Sequence, residues 1–103
     1  MWEHSVSQMP SAPQVTITEE GRSGSVVYTG EGGRISGWWE FGGGEVTAIV
    51  NMGSAVQWQH AYPWAAAQRG VILRFIAGEV IRQKASGCSA AVDEDSGWIE
   101  IRR

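Results

Sequence analysis

The chain has 103 residues, of which 43% are hydrophobic and 18% charged, enough for one small domain with a modest core and too apolar for wholesale disorder. Its net charge is -3 and its basic residues cluster no further than Arg102-Arg103, which argues against the basic stripe that a nucleic-acid partner requires. No apolar run approaches the ~20 residues of a membrane-spanning helix, and the single cysteine, Cys88, rules out an intrachain disulfide and fits a reducing cytoplasm.

Taken in chain order, Met1 to Pro13 carries serine, glutamine and two prolines but no basic segment followed by an apolar stretch. It reads as a flexible tail rather than a secretory signal, with Met9 as an alternative start. Residues 14–103 read as a single domain. Val15 and Ile17 alternate with Thr16 and Thr18 as a first strand, and Val26 to Thr29 make a second after the turn chemistry of residues 20–24. The longest strand is predicted over Arg34 to Phe41. It places Ile35, Gly37, Trp39 and Phe41 on one face and Arg34, Ser36, Trp38 and Glu40 on the other. Gly42-Gly43-Gly44 closes a hairpin onto a fourth strand, Glu45 to Val50. Residues 51–54 read as a turn, and Ala55 to Gln59 as a fifth strand.

The period changes after Tyr62. Pro63 suits a first helical position, and Trp64, Ala67, Val71 and Phe75 form one stripe, extended sideways by Ile72, Ile76 and Val80. Arg69, Arg74, Arg82 and Lys84 fall mostly on the remaining surface. The helix is expected to end at Ser86-Gly87, with Gly87 as its C-terminal cap. Gly70 and Gly78 each cost ~1 kcal/mol against alanine and suggest a close crossing of helix over sheet. The competing reading breaks the helix at Gly70 and makes Val71 to Ile76 a strand. Ala90 to Val92 and Trp98 to Ile101 read as short strands about an acidic turn, Asp93 to Gly97. The expected fold class is α+β: an antiparallel β-meander of about five to seven strands with one long helix packed on one face.

Chemistry is sparse. The two histidines, His4 and His60, have no ligand spacing, and Asp93, Glu94 and Asp95 do not match a calcium loop, so no metal or cofactor is expected. No serine sits in a nucleophile elbow. The Gly-rich loops join strands rather than a strand and a helix, so they do not form a phosphate cradle. Cys88 reads as an inert small residue. A catalytic pair of Glu40 with Glu100, or of Glu40 with His60, needs a cleft that the sequence does not establish.

The tryptophans remain. Trp38, Trp58 and Trp98 are each followed two residues later by a polar group, Glu40, His60 and Glu100. On strands, each pair would share a face. Trp39 and Trp64 read as core; Trp38 and Trp98 read as facing outward; Trp58 has neighbours that disagree. Trp2 lies in the tail, where it has an exposed indole to cover.

Two classes of binding function fit this set. One is a domain that holds another protein through its sheet face, anchored on tryptophans flanked by carboxylates. The other is a small-ligand or carbohydrate-binding β module. Neither membrane nor nucleic acid is an expected partner, and an open sheet edge allows a homo-oligomer.

The segment Ile35 to Trp58, with its Trp39-Glu40 strand motif, the later Trp58 and the helix that follows, resembles predicted immunity proteins of bacterial polymorphic toxin systems. The resemblance spans residues 15–86. It implies a toxin-neutralising binding protein without catalysis.

Overall fold

The computed structural model describes residues 12–103. Most of the expected tail, with Met9 and Trp2, lies outside the described residues. Four strands form the meander: β1 (Gln14–Ile17), β2 (Ser23–Gly30), β3 (Gly33–Phe41) and β4 (Val46–Asn51). The chain then leaves the sheet for a short helix, α1 (Ala55–Ala61), one 3-10 turn (Ala66–Gln68) and a long helix, α2 (Arg69–Lys84). It returns as the hairpin β5 (Ser89–Val92) and β6 (Trp98–Arg102). All pairings are antiparallel, and the strand order is β1-β2-β3-β4-β6-β5. The last strand thus inserts beside β4, and β5 takes the edge.

One face of the sheet makes the core. Val26, Ile35, Val50, Ile99 and Ile101 are fully buried there, opposite Ile72, Leu73, Ile76, Ala77 and Val80 of α2. This is the α+β architecture of one sheet under one long helix. Trp39 is buried on the same face, and its indole N–H donates to the Thr18 carbonyl at 2.8 Å. At the β1 edge, Gln83 of α2 donates to the Val15 carbonyl at 2.9 Å. Among the described residues no helix is long and apolar enough to cross a membrane.

Three local expectations are corrected. Residues 55–59 are helical, not a fifth strand. Ser54 Oγ accepts from the Gln57 N–H and the Gln57 side chain accepts from the Ser54 N–H, a reciprocal cap that starts α1. Pro63 and Trp64 lie in the turn between the helices, so α2 begins at Arg69 rather than at Pro63. Its buried stripe is consequently Arg69, Ile72, Leu73, Ile76, Ala77 and Val80, whereas Val71 is 72% exposed and Trp64 is 41% exposed against the β2–β3 turn. Finally, the helix glycines do not mark a crossing. A Cβ on Gly78 would meet nothing within 4 Å, and Gly70 faces the Glu94 carboxylate instead of the sheet.

The buried Arg69 ties the crossover together. Its guanidinium donates to the carbonyls of Gly53 (2.9 Å) and Glu94 (2.5 Å) and lies 4.7 Å from the Trp58 ring centroid. One chain end of α1, the start of α2 and the β5–β6 turn meet on this one side chain. Burial pushes the guanidinium down from its ordinary pKa, and the charges of Glu94, Asp95 and Asp93 push it back up. Asp93 Oδ1 accepts from the Asp95 and Ser96 N–H groups, which shapes the turn whose carbonyls Arg69 reads.

Candidate functional site

The sheet face away from α2 has no helix over it among the described residues. Strand register fixes which side chains stand together there. Trp38 pairs with Asn51, and Asn51 with Trp98, so the two indoles flank β4 in one row. The next row on the same face is Glu40, Ile49 and Glu100. Strands two apart are separated by ~9.5 Å, yet the two indole centroids are 5.5 Å apart, so the rings lean over Asn51 and meet edge to face at 88°. Asn51 leaves room for this, because its side-chain oxygen turns aside to accept the Gly53 N–H at 2.9 Å.

Trp38 and Trp98 remain 41% and 40% exposed, as their outward strand positions require. Glu100 accepts two hydrogen bonds from Arg102, at 2.9 and 3.0 Å, on the exposed surface. Glu40 forms no ion pair among the described residues. The arrangement is an apolar ridge of two indoles over Asn51, beside a row in which Glu40 and Glu100 flank Ile49.

Along the end of the strands the ridge runs into a groove of about 570 Å3, lined by Ser36, Trp38, Met52, Val56, His60 and Tyr62 among others. Its far wall is α1. Helix α1 is held there by Arg69 from one side and by a hydrogen bond from the Ala55 N–H to the Asp95 carbonyl at 2.9 Å. Tyr62 Oη accepts from the Ser36 N–H at 3.4 Å, closing the groove's floor against β3. Val56 stands 66% exposed on the helix wall.

The six sequence-predicted site residues therefore divide. Trp38, Glu40, Trp98 and Glu100 are on one face in two adjacent rows. Trp58 and His60 are not a strand pair. Two residues apart on a helix they point in nearly opposite directions, so Trp58 is fully buried while His60 is exposed at the groove. Trp58 works inside: its indole N–H donates to the Met52 carbonyl at 2.8 Å, and its ring meets Tyr62. Glu40 does not line the groove that His60 lines, and no hydrogen bond joins the two. Asn51, Val56 and Tyr62 were not anticipated. The Ser54–Gln57 cap was the available signal for the latter two, since it turns residues 55–61 into a helix and swings Val56 and Tyr62 towards Trp38.

Among the described residues no group of three His, Cys, Asp or Glu side chains could hold a metal ion. Cys88 is half-buried with its sulfur 3.9 Å from Thr47 Oγ1. No family model, curated protein or solved structure matches this chain.

Proposed function

We propose that this chain is a small, non-catalytic, cytoplasmic domain that binds another protein through its outer sheet face, as an immunity protein binds the toxin it neutralises. The observation that carries the reading is the Trp38–Trp98 ridge with Glu40 and Glu100 in the adjacent row of the same face. Half-exposed indoles give large contact area at low entropic cost and dominate the energetics of many interfaces. Flanking carboxylates suit a partner that presents arginine or lysine around an apolar centre, and they speed its approach. The groove beside Trp38 offers a second, concave contact for one partner side chain or loop.

A carbohydrate-binding module draws less support. A sugar face stacks best on an indole plane, and in an 88° pair the edge of one ring covers part of the face of the other.

The test is co-expression with the product of the gene directly upstream, followed by affinity measurement with the purified pair. Wild type is expected to bind, and the Trp38→Ala/Trp98→Ala double variant to fold normally and lose at least about 2 kcal/mol of affinity, roughly 30-fold. A double variant that binds as tightly as wild type removes the ridge from the interface. A neighbour product that neither binds nor harms the cell removes the immunity reading.

A further inference from the structure

On the opposite side of the sheet, under the C-terminal half of α2, lies a cavity of about 220 Å3. Its walls are apolar: Val26, Trp39, Ala48, Val50, Val80 and Ile101. The cause is local. Across this end of the core the facing residues are small, with Ala48 on β4 opposite Val80 and Ala85 at the end of α2, so helix and sheet do not interdigitate. Well-packed interiors have few voids larger than a water molecule, and an apolar cavity of ~150 Å3 stays dry and admits benzene. This one is larger, and it opens to solvent. The walls Val26, Val50 and Ile101 are fully buried, whereas Lys84 and Glu19, which also line it, have side chains 45% and 55% exposed. They pair across the mouth at 2.7 Å. Phe41 stands half-exposed beside them with the Arg22 guanidinium 5.6 Å from its ring centroid.

We propose that this cavity binds a small monocarboxylate with an apolar tail, of the size of one phenyl ring on a short chain. The tail fills the space between Trp39, Ala48 and Val80, and the carboxylate takes the place of Glu19 on Lys84. An exposed ion pair is worth little, so the exchange of one carboxylate for another costs little. Arg22 does not line the cavity, but its guanidinium over the lining Phe41 adds a second nearby cation, which favours an acid and opposes an amine. The site is separate from the outer face, being on the other side of the sheet.

The experiment is a calorimetric titration of the full chain with 3-phenylpropanoate, 3-phenylpropylamine and 3-phenylpropanol, with methyl NMR shifts of Ala48, Val50 and Val80 read in parallel. The acid is expected to bind at one site about tenfold or more tighter than the amine, with shifts confined to the cavity methyls. Lys84→Gln is expected to bring the acid down to the alcohol's affinity. Ala48→Leu, which fills the space, is expected to abolish binding; should that variant not fold, Ala85→Leu fills it from the helix side. Equal binding of acid, amine and alcohol overturns the carboxylate assignment. Absence of binding, or shifts spread over the surface, overturns the site.

Discussion

Arg69 is the residue on which most of the crossover depends. It satisfies carbonyls from two loops that neither helix nor sheet could satisfy, and its Nη1 has no protein partner among the described residues. A lysine keeps the charge but lacks the planar fork, so it cannot reach Gly53 and Glu94 together. Arg69→Lys is therefore expected to cost about 2–4 kcal/mol, the range for breaking a buried charged hydrogen-bond network. A urea midpoint within error of wild type would show that the clamp is dispensable. The same residue explains why the stripe of α2 was misread. A stripe counted by apolar residues skips arginine, so the true face, which starts at Arg69, loses its first member and the exposed Val71 takes its place in the count, while Phe75 packs at the margin of the core against Tyr28. Trp39 was legible for the opposite reason: it alternates with Ile35 on a strand whose other face carries Arg34, Ser36 and Glu40. Register alone places Trp38 and Trp98 in one row, but register follows from β6 inserting beside β4, which no local pattern encodes.

At the level of elements, α2 carries a glycine that it does not use. Gly78 is exposed, lies mid-helix and has open space around its Cα. Gly78→Ala is expected to stabilise the protein by about 0.5–1 kcal/mol, through higher helix propensity and a less free unfolded chain. Thermal denaturation checks this; a lowered Tm would mean that the open space is occupied in solution. Further along the helix, two hydrogen bonds from Arg82 and one from Gln83 pull Glu79 from the ordinary 4.5 down to about 2. A depressed carboxyl pKa stabilises the fold above the unfolded value and ceases to do so as pH falls through the folded one. The stability gap between wild type and Glu79→Gln is thus expected to be present at neutral pH and to close between about 4.5 and 2. A gap that is unchanged at the acid end would assign it to something other than the charge. Helix α1 shows how the strand misreading arose. Asn51 to Ser54 has turn composition, and alternation over five residues cannot separate a strand from two helical turns. The Ser54–Gln57 spacing decides it, because the reciprocal cap satisfies two backbone N–H groups only if a helix follows.

For the molecule as a whole, the sheet is closed by its last segment. β4 and β6 are about fifty residues apart in sequence, and both helices intervene before they pair. Such pairing comes late, because the loop entropy is lost before the contact is made. Gly97, at φ +85°, belongs to this closure: a Cβ there would strike the Gly53 carbonyl, so the β5–β6 turn seats against the start of α1 only with glycine. In the finished sheet β2, β3, β4 and β6 have partners on both sides, whereas β1 and β5 have one. Hydrogen exchange is expected to follow that order, with β5 amides opening about tenfold or more faster than those of β4. Equal protection across the sheet would mean that the edges open only with global unfolding.

The edge-to-face contact of Trp38 with Trp98 also has an optical consequence. Indoles this close share their excited states, so their absorption is that of a coupled pair rather than of two separate chromophores, and the coupling depends on the angle between the rings. Anything that lands on the outer face and turns either ring will change the circular dichroism of the aromatic bands without a label. The surface proposed to hold the partner carries its own signal for when it is occupied.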